Sequence, residues 1–372
     1  MSNTVQLTLS EEQKLAMSIA LAGLHSGETQ ENIAKSLGMK QPKICALSKL
    51  GMKLLKVSLP DNLEEAEKYE IERQFYVEAA EELKTTLKGL RTTAQNKLRP
   101  LEVCIYYSGD EPKQRVKRFG RAAARRVVAL LRTSNCTAVA WGRTVISVVE
   151  GIEAARPKPH KKLRLLPSSG EPVGHVVEDH SASAAVSRLA ELLHCEDFRS
   201  LRGVPLRIPK SMNGDSNAIR KFVNRSRDYQ RIFGSSKPEI ESVDTILSGV
   251  GDADSSVNDP WFKETVEAES VRNLQKIAVG NIGGIWLPRD KKNSKQQQLI
   301  NDMNSRWLGI QKRHIERCAE SASTVKPGVI VIAAGLEKAA VIRSTIDDVN
   351  HLLIDDTLAT ELVGHPLCKP HK

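Results

Sequence analysis

From residue 101 onward, short apolar runs alternate with stretches of helical spacing, and this alternation restricts the fold more than any other feature. The runs are 101–107, 137–140, 163–166, 204–208, 243–250, 277–279 with 285–287, 329–334 and 351–354. Between many of them, residues 119–131, 182–193, 216–232, 262–274, 336–346 and 358–363 have amphipathic helical patterns. Runs that are apolar throughout and separated by helices pack as a sheet covered on both faces. The expected fold class is therefore α/β, with a large doubly wound, mostly parallel domain over residues 100–372. The polar stretch 289–298 reads as an exposed excursion.

In open sheets of this kind, ligands bind beyond the carboxyl ends of the strands. Those ends carry small and polar residues here. Gly142, Arg143 and Thr144 follow the run at 137–140, and Ser168, Ser169 and Gly170 follow 163–166. Ser248, Gly249, Gly251 and Asp252 close the next, and Gly280, Asn281, Gly283 and Gly284 the one after. Ala333, Ala334 and Gly335 end the 329–334 run, with Lys338 in the first turn of the following helix.

The stretch Trp141-Gly142-Arg143-Thr144 has the chemistry of an anion site. Glycine lets a backbone approach, a helix start favours negative charge, and arginine can grip two oxygens at once. A lysine at a helix N-terminus opposes the dipole, so Lys338 calls for an anionic partner. Each turn alone is ordinary; together they describe a crevice for a phosphorylated small molecule. The candidate ligand-binding residues are Gly142, Arg143, Thr144, Ser169, Gly170, Gly251, Asp252, Asn281, Gly335 and Lys338.

The first sixty residues differ in kind. Helices are expected at 10–23, 29–37 and 40–50, in the order Ile33-Ala34, Leu37-Gly38-Met39, Ile44, Leu47. That is the helix-turn-helix pattern: alanine permits close crossing, glycine makes the turn, and apolar residues pin the recognition helix. Seven lysines stand against four acids in this segment, consistent with phosphate contacts. Pro42 falls in the first turn of the third helix, where its missing N–H costs little. Gln30, Lys40, Gln41, Lys43 and Lys49 are the candidate DNA-contacting residues. Residues 51–59 read as a short wing strand ended by Pro60. The other reading of this segment is a small helical bundle that binds protein or caps the larger domain.

Residues 61–99 join the two parts. Tyr69, Tyr76, Leu83 and Leu90 recur every seven residues, as do Ala66, Arg73, Ala80 and Leu87. Such a stripe suits either a linker helix that supports dimerisation or a long helix packed on its own domain. The cation-rich stretch from Lys113 to Arg132 contains no acid and reads first as a solvated face or one meeting an acidic subunit, with a nucleic-acid face as the alternative.

Net charge is +10 at neutral pH, which suits a polyanionic partner. Six scattered cysteines without a Cys-x-x-Cys pair give neither a zinc motif nor a disulfide framework. The N-terminus lacks signal-peptide patterning, and no run approaches the roughly 18 apolar residues that span a bilayer. A cytoplasmic protein without membrane, metal or cofactor is expected. The histidines, including His175, His180 and His194, form no metal-ligand spacing.

The chain resembles the SorC/DeoR-type sugar-binding transcriptional regulators over almost its whole length. The resemblance is carried by Gln30-Glu-Asn-Ile-Ala-Lys-Ser-Leu-Gly-Met39, Phe119-Gly-Arg-Ala-Ala-Ala-Arg125 and Val139-Ala-Trp-Gly-Arg-Thr144. At the C-terminal end it continues through Val331-Ile-Ala-Ala-Gly-Leu-Glu-Lys-Ala-Ala340 and Val349-Asn-His-Leu-Leu-Ile-Asp-Asp-Thr-Leu-Ala-Thr360. It implies an effector domain like ribose-5-phosphate isomerase and glucosamine-6-phosphate deaminase without turnover, and dimers or tetramers that bind operator DNA. Sugar phosphates would alter that binding, with Gly142, Arg143 and Thr144 on the phosphate and Lys338 adding charge. The chain departs from the family pattern at Ala138-Val139-Ala140, Ser168-Ser169-Gly170 and Asn281, and at Cys45-Ala46 in the recognition helix.

The expected function is a DNA-binding regulator modulated by a phosphorylated sugar or related metabolite, acting as a homodimer or homotetramer. A regulator whose site has decayed or been repurposed for a nucleotide or protein is the first alternative. A sugar-phosphate isomerase or deaminase, with Asp252, Asp254 or Glu337 as base and Lys338 as electrophile, is the second.

Overall fold

The computed structural model describes residues 10–21, 29–58, 77–106, 108, 112–155, 157–172, 181–209, 216–234 and 236–364. The N-terminal part holds three helices, α1 (Glu11–Leu21), α2 (Gln30–Leu37) and α3 (Gln41–Ser58). Thr29 caps α2 by accepting the Asn32 N–H, and Gly38 ends it in the left-handed region at φ 62°. Ile33, Ala34 and Leu37 of α2 are buried, as are Ile44 and Leu47 of α3 and Ala16 and Ile19 of α1.

One sequence expectation fails here. Residues 51–58 do not form a wing strand; they extend α3 as helix, and Leu59 and Pro60 lie outside the described residues. The reason is the packing of Gly51. A Cβ built there would stand 1.9 Å from the Ala16 carbonyl oxygen, so α1 and α3 cross in close backbone contact. Glycine at this point serves a helix crossing rather than a turn.

Next come α4 (Val77–Leu90), α5 (Ala94–Leu98), β1 (Glu102–Tyr106) and α6 (Pro112–Leu131). The heptad positions up to Tyr76 lie outside the described residues. In the described part, Leu83 and Leu87 are fully buried while Leu90 is 48% exposed. Leu83 and Leu87 lie one turn apart and α4 packs across β1, so that face serves its own domain.

The chain continues through β2 (Cys136–Val139), α7 (Arg143–Ala155), β3 (Arg164–Pro167), α8 (Ala182–Leu193), β4 (Asp197–Phe198) and α9 (Ser216–Val223). Beyond these lie β5 (Thr245–Asp252), α10 (Ala253–Asn258), α11 (Pro260–Thr265), α12 (Ala268–Ile277), β6 (Ala278–Ile282) and β7 (Ile285–Pro288). The described chain ends with α13 (Ser294–Ser305), α14 (Lys312–Glu320), β8 (Gly328–Ala333), α15 (Ala339–Thr345), β9 (His351–Asp355) and α16 (Asp356–Val363).

The main sheet runs β1-β9-β8-β5-β2-β3-β4, and every pairing along it is parallel. Alternate strand residues feed two separate cores. Ile246, Val329, Val331, Leu352 and Ile354 face one side with α4, α14, α15 and α16. Leu247, Ile330, Ile332 and Leu353 face the other with α6, α7 and α8. This is the doubly wound arrangement that the alternating pattern calls for. The end of β5 leaves the parallel sheet and pairs antiparallel with β6, which turns back into β7. That hairpin and α10–α13 share a third, smaller core around Val257, Phe262, Trp286 and Ile300.

Two further expectations are modified. The apolar run 204–208 is no regular strand; it is held by isolated bridges from Glu171 to Pro205 and from Arg207 to Trp307. Pro205 and Pro209 have no N–H to donate to a ladder. The expected helix at 216–232 breaks after Val223, and the one at 262–274 breaks at Val266, whose backbone is extended.

Candidate functional site

The loop between β2 and α7 is fixed from both ends. β2 is buried along its whole length, and the Ala140 N–H continues the ladder by donating to the Leu247 carbonyl at 2.9 Å. Gly142 then turns the chain at φ 133°, a region closed to other residues. α7 begins at Arg143, and the Ile146 N–H closes its first turn on the Gly142 carbonyl. The first amides of a helix have no acceptor within it. Arg143 is exposed, and the described residues provide it with no hydrogen bond or ion pair.

This loop borders a cavity of about 440 Å³ beyond the carboxyl ends of β2, β5 and β8. Of the ten residues expected at a ligand, Gly142, Arg143, Thr144, Gly251, Asn281 and Lys338 line it. Ser169, Gly170, Asp252 and Gly335 do not, each for a local reason. Gly170 is pressed against the backbone of Val204 and Pro205. Ser169 is fully buried, and the Ile310 N–H donates to its neighbour Ser168 at 2.7 Å, covering that turn. The Gly335 N–H donates to Asp355 at 3.0 Å.

Asp252 stands behind the wall. It caps α10 by accepting the Ser255 N–H at 2.8 Å and receives the Lys338 ammonium at 2.9 Å. The anion that Lys338 requires is thus supplied within the chain. Burial alone would raise the Asp252 pKa, but the Ser255 amide and Lys338 outweigh it and hold the carboxyl below its ordinary value. The Glu337 carboxylate lies 3.9 Å from the same ammonium and borders the cavity, while Asp254 is exposed outside it. Asn281 donates to the Ser256 hydroxyl at 2.9 Å. Asp259, also on the wall, has its pKa raised by burial against the opposing pull of Arg143.

Several wall residues besides Trp141 carried no signal in the sequence. The chain has four tryptophans, and all four, Trp141, Trp261, Trp286 and Trp307, line this cavity. Trp141 meets Trp261 edge-on at 5.2 Å, Trp261 meets Phe262 at 5.4 Å, and Phe262 meets Trp286 at 5.4 Å. Arg207 joins them from the irregular 204–208 segment, with its guanidinium carbon 5.3 Å from the Phe262 ring centre. An apolar aromatic wall with a few polar groups matches the chemistry of a small-molecule pocket. Rarity of tryptophan was the one available clue, and it gives no direction.

In the N-terminal helices, Lys40, Gln41, Lys43 and Lys49 are exposed and Gln30 is half-buried. They surround the start and outer side of α3, opposite buried Ile44 and Leu47. Ala46 is exposed beside them. His194 is the left-handed C-cap of α8, and His175 and His180 lie outside the described residues. Among the described residues no group of three His, Cys, Asp or Glu side chains could hold a metal ion. No described helix is long and apolar enough to cross a membrane.

An open, doubly wound sheet with a cationic, aromatic-lined cavity at its strand ends defines a class of small-molecule receptor domain. Residues 95–364 match the family described as "Putative sugar-binding domain", and the chain belongs to that family. The full-length sorbitol operon regulator SorC from Klebsiella pneumoniae shares the fold at 20% identity and TM-score 0.57. That match covers 95% of this chain and 100% of the regulator. A DeoR family transcriptional regulator from Listeria monocytogenes matches at 15% identity and TM-score 0.56, covering 77% of this chain and 99% of its own. No curated protein matches the sequence.

Proposed function

We propose that this chain is a DNA-binding transcriptional regulator whose operator affinity is set by a phosphorylated sugar or related metabolite in the cavity. The observation that carries the reading is the placement of Arg143. An exposed guanidinium at the start of a 13-residue helix, beside Gly142, opens onto a cavity walled by every tryptophan of the chain. The loop supplies amides and a cation for a phosphate. The aromatic faces and the carboxylates of Asp259 and Glu337 supply surfaces for the C–H faces and hydroxyls of a sugar. Lys338, held by Asp252, takes the role of a fixed charge in the wall rather than a free amine for imine chemistry, and the chain binds without turnover.

Residues 1–60 form the DNA-reading module, with Gln30, Lys40, Gln41, Lys43 and Lys49 at the nucleic acid. The chain acts as a homodimer or homotetramer, which would bring two such modules to paired half-sites. Effector binding favours one arrangement of subunits, with a coupling of about 1–3 kcal/mol typical of such linkage. The membership in a sugar-binding family and the fold shared with the sorbitol operon regulator support this reading.

The test uses the tryptophans. Titrating the full chain with a panel of sugar phosphates should change its intrinsic fluorescence, and the active compound should shift the concentration of protein needed to retard its operator. A compound that changes retardation without touching the fluorescence of four wall tryptophans would place the effector elsewhere.

A further inference from the structure

Arg91 and Arg207 are both buried arginines, 2% and 5% exposed, but their surroundings differ in kind. Arg91 donates to the carbonyls of Ile346, Asn96, Arg99, Pro100 and Val349. It is a tie between the α4–α5 corner and the turn before β9. Arg207 has no such set. Among the described residues its Nε is buried with no hydrogen-bond partner, one terminal nitrogen meets only the Met303 sulfur, and the Phe262 ring lies under it.

Among the described residues no carboxylate lies within ion-pair distance of Arg207. Burial pulls its pKa down to about 10, the neighbouring Arg306 adds to this, and the more distant Asp302 carboxylate opposes it. The group is still charged at neutral pH. A buried cation without an ion pair is costly. The space next to it is the cavity, which it lines together with Phe262, Met303 and Trp307. The Trp307 indole N–H is also without an acceptor among the described residues, but it lies against Gly309 at the Ser168–Ser169 turn. The unused guanidinium donors of Arg207, on the cavity wall, ask for acceptor oxygens from a ligand.

Trp261 and Phe262 separate this stretch from Trp141 and the Arg143 loop. We propose that Arg207 anchors the far end of the ligand, and that the ligand is a sugar phosphate bearing a second anionic group, a carboxylate or a phosphate, at the end away from Arg143. This rests on the reading of the Gly142-Arg143-Thr144 loop as the grip for the first phosphate. The aromatic row spans the apolar face of the sugar between the two anchors.

The experiment compares glucose 6-phosphate, 6-phosphogluconate, gluconate and inorganic phosphate on the full chain, by tryptophan emission, calorimetry and thermal unfolding. The wild type should bind 6-phosphogluconate about 10–100-fold more tightly than glucose 6-phosphate, the gain expected of a charge-assisted pair in a dry site. Arg207→Met should remove that preference and leave glucose 6-phosphate within about twofold. Without ligand it should unfold about 2–4 °C above the wild type, because an unpaired buried charge is gone. Arg207→Lys, which keeps the charge, should not show that rise.

Equal affinity for the two sugars in the wild type, or a preference that survives Arg207→Met, would overturn the proposal. So would a loss of stability in both Arg207→Met and Arg207→Gln, which would make Arg207 a structural tie like Arg91. 6-Phosphogluconate binding that depends on Arg143 alone sinks the second anchor and leaves the phosphosugar reading intact. Gluconate and inorganic phosphate binding that depends on Arg207 alone does the reverse. If none of the four anions binds or stabilises the chain, both readings fall.

Discussion

The Lys338 ammonium lies 2.9 Å from the Asp252 carboxylate, with the two side chains only 10% and 11% exposed. The pair links the turn after β8 to the first turn of α10, so it fixes the two sides of the cavity floor to each other. Removing one partner leaves the other charge buried. Lys338→Met should therefore cost about 3 kcal/mol in urea unfolding, and adding Asp252→Asn should recover more than half of it. Asn keeps the cap oxygen for the Ser255 N–H. A Lys338→Met protein as stable as the wild type would show that the pair carries no structural load.

Arg143 lines the same cavity and makes no hydrogen bond or ion pair among the described residues, and its removal should leave the fold intact. Arg143→Ala should weaken the effector by at least about tenfold, the smallest loss expected when a charge-assisted grip on phosphate is lost. Operator affinity in the absence of effector should stay within about twofold. Calorimetry that returns an unchanged effector affinity would remove Arg143 from the site.

What could be read from the sequence was what is encoded locally. A strand, a glycine, an arginine and a helix in direct succession predict their own geometry, and Gly142-Arg143-Thr144 stands where that succession places it. The mostly parallel sheet followed from alternation, but β4 was not among the expected runs and 204–208 is no strand of it. Arg207 was hidden for the opposite reason. It interrupts an apolar run that passes for a strand, and its place beside Phe262 and Met303 depends on segments about 55 and 96 positions away. Asp252 and Lys338 were both visible, but not their mutual bond, which withdraws Asp252 from the cavity. The wing strand expected at 51–59 is helix instead, and the close contact of Gly51 with the Ala16 backbone, which no local pattern shows, goes with it.

That crossing makes the proposed DNA-reading part separately addressable. Gly51→Ala would drive a methyl into the Ala16 carbonyl, at 1.9 Å in the unrelaxed geometry. Overpacking of this kind costs about 1–3 kcal/mol. Operator retardation should be lost at moderate temperature, while effector affinity by calorimetry is unchanged. Lys43→Ala, exposed beside buried Ile44, should instead lower the slope of log affinity against log salt by about one. Effector binding that falls together with DNA binding in Gly51→Ala, or an unaltered salt slope in Lys43→Ala, would count against the module boundaries and the contact respectively.

His314 sets an acid limit on the effector domain. Its Nδ1 accepts the Gln311 N–H at 2.9 Å, closing a capping box at the start of α14. Burial pushes its pKa down to about 4, and the cation of Arg313 adds to the effect. Between an unfolded value of about 6.5 and this folded value, the unfolded chain binds a proton that the folded chain refuses. The contribution is present above pH 6.5 and is lost as pH falls toward 4, by up to about 3 kcal/mol. Asp348 and Asp356, raised to about 6 by burial, act in the opposite direction, since the folded chain holds their protons longer. Comparing the wild type with His314→Gln cancels that contribution. Gln at this position still accepts the Gln311 N–H but does not titrate. In urea unfolding at pH 7, 5.5 and 4.5, the stability of the wild type relative to His314→Gln should fall steadily. A difference that stays constant across the three would show that His314 is protonated as readily in the folded chain as in the unfolded one.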